Sequence, residues 1–98
     1  MKVRLSAEAE AELETIGDRI AHDDPARAAG FVAELREACL GLGAFPRRFA
    51  QVPRLERHGM RYRLHGNYLI FYRVDENEVF VAHILHAAMD YAPILSSR

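Results

Sequence analysis

The chain has 98 residues and a mass of 11.1 kDa, a length that predicts one domain over residues 1–98 with a single modest core. Half of its residues are apolar and 28% are charged, which excludes a disordered chain and matches a soluble globular one. Thirteen Lys+Arg against fourteen Asp+Glu give a formal charge of −1, so a surface that grips nucleic acid everywhere is excluded and no direct DNA binding by the chain alone is expected.

Val3-Arg4-Leu5 is a short strand candidate that ends at Ser6, a good helix N-cap. From Ala7 to about His22 the residues Ala9, Leu13, Ile16 and Ile20 fall on one helical stripe, with Glu8, Glu10, Glu12 and Glu14 on the other faces. Gly17, in the middle of that helix, costs about 1 kcal/mol relative to Ala. Asp24-Pro25 reads as the start of a second helix, with a stripe of Ala28, Phe31, Val32, Leu35, Ala38 or Cys39, and Leu42, and with exit signals at Gly41 and Gly43. So short a connection predicts an antiparallel helix hairpin. Residues 44–59 carry two prolines and little periodicity, and read as an irregular connection.

Beyond it the period becomes two. Met60 to Leu64 is a strand, Gly66-Asn67 a two-residue turn of the II′ kind, Tyr68 to Val74 a dense strand, and Val79 to His86 the last strand. The tail from Ala87 contains Pro93 and predicts a short turn of helix. The expected fold is α+β, in the order β-α-α-β-β-β, with the helix hairpin on one face of an antiparallel sheet. The turns pair Leu64 with Leu69, Tyr62 with Phe71, Arg61 with Tyr72, Val74 with Val79, Tyr72 with Val81, and Ile70 with His83. In that register Met60, Tyr62, Leu64, Leu69, Phe71, Phe80, Ala82 and Ile84 face the helices. Arg61, Arg63, His65, Tyr68, Ile70, Tyr72, Val79, Val81, His83 and Leu85 form the opposite face, a candidate partner surface.

Cys39 is the sole cysteine and falls on the apolar side of the second helix, which predicts a buried structural thiol and a reducing cytosol. The N-terminal residues lack the apolar run of a signal peptide, and a cytoplasmic protein is expected. The five histidines lack the spacing of a zinc site and no phosphate-binding glycine loop is present, so neither metal nor cofactor is expected.

Several stretches together resemble the RelE/ParE toxin superfamily, and its ParE branch in particular. They are Ser6-x-x-Ala9-x-x-Glu12-Leu13-x-x-Ile16, then Pro25, Ala28, Phe31 and Leu35, then Phe45-Pro46. Tyr68-Leu69-Ile70-Phe71-Tyr72-Arg73-Val74 and Ile84-Leu85-His86-x-x-Met89-Asp90 complete the set. Gly17 and Arg19 stand where relatives often have aromatic residues. The resemblance implies the toxin of a bacterial type II toxin–antitoxin pair, neutralised by a ParD-like antitoxin in a hetero-oligomeric complex and acting by binding and poisoning DNA gyrase. The antitoxin is expected to bring an amphipathic helix and an extended segment. Its contacts on the helices are expected at Leu13, Ile16, Ile20, Phe31 and Leu35. Target or antitoxin contacts on the sheet are expected at Arg61, Arg63, Tyr68, Tyr72, Arg73, His83 and His86.

The alternative is a RelE-like, ribosome-dependent mRNA endonuclease. It needs an acid–base pair and cations near the scissile phosphate, for which Arg61, Arg63 and His83 are the candidates on one predicted face. A third reading is a degenerate member that binds its antitoxin without toxicity. Charge is unevenly placed in any case. Residues 1–45 hold five Lys+Arg and nine Asp+Glu, whereas residues 46–98 hold eight and five.

Overall fold

Ser6 sets the first junction of the fold. Its hydroxyl accepts from the Ala9 N–H at 2.9 Å, so strand β1 (Lys2–Leu5) stops and helix α1 (Ala7–Asp23) starts. Asp24 repeats the device, accepting from the Arg27 N–H at 3.2 Å ahead of Pro25 at the start of α2 (Pro25–Leu40). The computed structural model describes residues 1–96. After a 3₁₀ turn at Gly41–Gly43 and an irregular segment come β2 (Arg61–His65), β3 (Tyr68–Val74), β4 (Glu78–His86) and a final short helix, α3 (Ala92–Ser96). Among the described residues no helix is long and apolar enough to cross a membrane.

The order of strands in the sheet is β1-β4-β3-β2. The β2–β3 hairpin turns where expected: Gly66 has φ +60°, and Asn67 needs no positive φ, as in a II′ turn. All three pairings expected across β2 and β3 are present. Two differences appear on the far side. The sheet is mixed, because β1 runs parallel to β4, with Val3 opposite Val79. In addition, β4 carries an extra residue. Tyr72 pairs with Val81 but Phe71 pairs with His83, so Ala82 bulges and Ile70 meets Ile84 instead of His83.

The larger correction concerns the faces. The helices, through Leu13, Ile16, Phe31 and Leu35, pack on Tyr68, Ile70, Tyr72, Val79 and Val81, the side expected to be free; Ile84 faces them as expected, because it lies beyond the bulge. The other side is covered as well, by the irregular segment and the C-terminal residues. Val52, Met60, Leu69, Phe71 and Leu85 are buried there beneath Leu55, Tyr91, Ile94 and Leu95. Because both faces of β3 are covered, its five residues Tyr68–Tyr72 are all buried and the alternation carries no sign of inside or outside. On β2, an edge strand, Arg63 and His65 lie on the helix side and reach its polar rim.

Close packing explains Gly17. A Cβ built there would lie 3.0 Å from Val32 Cγ2, so the glycine lets α1 and α2 approach each other. A bidentate pair between Arg36 and Glu10 (2.8 and 3.0 Å) joins the same helices on their exposed side, and the guanidinium holds the Glu10 carboxyl below its ordinary range.

Cys39 is fully buried in the helix–sheet core, and that burial, opposed by Arg36 and Arg63, pushes its thiol up from 9.0 to about 12. The native thiol should therefore resist a thiol-specific reagent at pH 8 and react freely once the chain is unfolded. Rapid stoichiometric labelling of native protein would contradict the burial. A raised thiol favours the folded state fully below the unfolded value of about 8.5 and progressively less above it. The stability difference between wild type and Cys39→Ala should accordingly stay constant below about pH 8.5 and shrink as the pH rises towards 12.

Candidate functional site

The end of β1 creates the first element of the site. Past Leu5 the chain turns into α1, and β4 continues for several residues without a strand on that side. Side chains of the helix junction take over the pairing. Ser6 Oγ donates to the Ala82 carbonyl at 2.7 Å, and Glu12 Oε1 accepts from the Ile84 N–H at 2.7 Å. The second Glu12 oxygen lies 2.8 Å from His83 Nδ1. A carboxylate only accepts, so this contact assigns the proton to Nδ1 and leaves Nε2 as the open ring nitrogen.

His83 lines a groove of ≈ 520 Å³ with Met60, Arg73, Phe80, Ile94 and Leu95. The Phe80 ring is held between two guanidiniums, Arg4 at 4.5 Å and Arg73 at 5.1 Å from its centroid. Arg4 is fixed in turn by Glu78 across the parallel β1–β4 pair, at 2.8 Å. The groove thus has an apolar floor, a guanidinium and an oriented imidazole. Such a surface suits an extended segment carrying acidic or hydrogen-bonding side chains.

The remaining predicted residues divide into three groups. Arg61 and Arg63 lie on the helix side, away from His83, so the three do not share a face. Arg61 donates to the Phe49 carbonyl at 2.6 Å, and Arg63 donates to the Ala38 carbonyl at 2.9 Å, capping the last turn of α2. Tyr72 is completely buried; its hydroxyl donates to the Pro46 carbonyl at 2.7 Å, and burial pushes the phenol up. It is a core residue and offers no stacking platform. Tyr68 and His86 meet edge to face at 5.2 Å, and His86 Nδ1 accepts from the Ala88 N–H.

These last two come together with Ile16, Arg19 and Met89 around a smaller groove of ≈ 130 Å³ at the α1–β4 seam. Leu13, Phe31 and Leu35 are turned into the core, which covers the surface that these three would offer a partner, and Ile20 packs half-buried against it. Ile16 is buried too, though it borders the seam.

Two features were not singled out from sequence. Glu12 was read only as a helix-face charge, although it belongs to the motif that opens α1; its role depends on a contact 71 positions away. The segment Phe45-Pro46-Arg47-Arg48-Phe49 has no period, yet its backbone is pinned through the carbonyls of residues 46, 47 and 49. Phe45 is 70% exposed, more than any other large apolar residue described.

The family description "ParE toxin of type II toxin-antitoxin system, parDE" matches residues 3–91. Among solved structures the chain is similar to the chromosomal ParDE toxin–antitoxin system from P. aeruginosa, with a TM-score of 0.73 and 22% identity over 88% of this chain and 95% of that one. It is also similar to the RelBE2 toxin–antitoxin complex from Mycobacterium tuberculosis, with a TM-score of 0.65 and 24% identity over 87% and 95%. At such identities these two likenesses speak for the fold. Among curated proteins none matches.

Glu12 is the residue whose loss should be felt furthest. Glu12→Ala strips the Ile84 N–H of its acceptor and frees His83, at a cost of about 1–3 kcal/mol. The melting temperature should fall by roughly 5–15 °C, whereas Glu12→Gln, which keeps a carbonyl acceptor, should lose less than half of that. Thermal unfolding of the two variants checks the order, and equal losses would place the contribution in the negative charge of Glu12 instead of its acceptor oxygen.

Proposed function

The chain belongs to the ParE toxin family of type II toxin–antitoxin systems, and from that membership we propose that it binds and poisons DNA gyrase and is held inactive by a ParD-like antitoxin. The family match across residues 3–91 carries this reading. The sheet-side groove supports it: Arg73, His83 and Phe80 offer a protein partner two polar anchors over an apolar floor. We assign the extended segment of the antitoxin to that groove. Its amphipathic helix goes to the α1–β4 seam, where Ile16, Tyr68, His86 and the half-exposed Met89 converge.

The endonuclease alternative loses support from the arrangement of its candidates. Arg61 and Arg63 are tied to backbone carbonyls on the helix side of the sheet, while His83 opens on the other. A phosphate beside His83 therefore lies away from Arg61 and Arg63, and the guanidinium that lines its groove is that of Arg73.

Purified gyrase assayed for supercoiling with the isolated protein tests the proposal. The expected outcome is lost supercoiling together with accumulation of cleaved DNA. Unimpaired supercoiling at stoichiometric excess overturns the gyrase reading. Cut transcripts after induction in cells would instead favour the endonuclease, and expression without growth arrest would favour the degenerate member.

A further inference from the structure

The overall charge of −1 conceals a segment of opposite character. Between residues 44 and 63 there are six arginines and one acidic residue, Glu56. None of the six forms an ion pair with a carboxylate among the described residues; the ion pairs there involve Arg4, Arg27, Arg36, His65 and His83. Arg61 and Arg63 are turned to backbone carbonyls, whereas Arg47, Arg48, Arg54 and Arg57 are exposed.

The arginines nearest the exposed Phe45 are displayed by construction. The buried Tyr72 hydroxyl holds the Pro46 carbonyl, and the Arg61 guanidinium holds the carbonyls of Phe49 (2.6 Å) and Arg47 (3.4 Å). With three carbonyls drawn inward, the side chains of Phe45, Arg47 and Arg48 are presented outward around an open hollow of ≈ 590 Å³. Arg48 lies over the Phe49 ring at 5.3 Å from its centroid, and Arg63 approaches the same ring at 5.1 Å. This is a pinned loop carrying two guanidiniums that have no carboxylate partner among the described residues, beside one exposed aromatic ring.

We propose that Phe45, Arg47 and Arg48 form a contact surface for a single nucleic-acid strand, with the guanidiniums on its phosphates and the Phe45 ring stacked on a base. Charge complementarity selects a polyanion. One exposed ring beside a proline is too little apolar area for the centre of a stable protein interface, whereas single-strand recognition uses this combination of cations and a stacking ring. The surface is a binding site with no assembled acid–base pair and stands apart from the gyrase reading. It revises the expectation that the chain makes no direct contact with DNA.

Fluorescence anisotropy with labelled 12-mer DNA and RNA oligonucleotides, titrated with the intact protein at several salt concentrations, tests it. Wild type should bind with an affinity that falls as salt rises. Removing two phosphate contacts in Arg47→Ala/Arg48→Ala should weaken binding at least about tenfold and lower the salt slope by about 1.4. Phe45→Ala should weaken it about 5- to 100-fold with little change in slope. Tyr72→Phe keeps every charge but releases the Pro46 carbonyl, so affinity should drop while the slope stays; Tyr72 is a positioning residue here. Circular dichroism confirms that each variant is folded. Tighter binding of DNA or of RNA identifies the strand preferred. Equal affinity and slope for wild type and the double variant overturn the proposal. So does displacement of the oligonucleotide by poly-glutamate at matched charge, which would assign the surface to an acidic protein segment.

Discussion

The architecture depends on how the edge of β4 is closed. A strand that outlasts its neighbour leaves backbone donors and acceptors without partners, each costing about 1–3 kcal/mol when buried. β1 ends at Leu5 because Ser6 begins a helix, and β4 runs on to His86. Two side chains on the first turns of α1 answer this mismatch: Ser6 at the Ala82 carbonyl and Glu12 at the Ile84 N–H. The helix is thereby fixed to the sheet by polar contacts at its edge as well as by its apolar stripe. The bulge at Ala82 lies within the same stretch, and after it Ile84 is turned to the helices while His83 opens on the groove. One short region thus sets the docking of the helices and the orientation of the imidazole.

A sheet covered on both faces has a second consequence. Several of the polar side chains around it find their partners at the rim, among backbone carbonyls. Arg63 ends α2, Arg61 and Tyr72 hold the loop that follows it, and Ser6 holds β4. Residues whose types suggested chemistry therefore act as fasteners for irregular backbone. That leaves loop side chains, which look unremarkable in sequence, to meet other molecules.

Much of this fold was legible in the residues themselves. β3 has the bounds its aromatic and β-branched run predicted, the Gly66-Asn67 turn has its expected sign of φ, and Asp24-Pro25 begins α2. Local chemistry determines these features. The sidedness of the sheet was not legible, because alternation shows that two faces differ only when one of them is wet. On β2 the arginines point to the helix side, and on β3 the run Tyr68–Tyr72 is buried without alternation. The bulge was hidden for a related reason: Ala82 fits either face, so no side chain marks the extra residue. At the candidate site, composition showed that positive charge gathers in the second half. Which arginines stay available depended on carbonyls of segments distant in sequence, and these leave no trace in residue spacing.

The parallel pairing of β1 with β4 places Val3 against Val79 and so joins two segments far apart in sequence. At elongation rates of about 5–20 residues per second, β4 is completed roughly 4–16 s after β1. Until then the helix pair has no strand to receive its apolar stripe, and Ser6 and Glu12 have no edge to close. A ribosome that stops before β4 releases a chain without the groove or the seam. Formation of these surfaces is therefore coupled to translation of β4, and a partner that recognises them meets them only once that strand has been made.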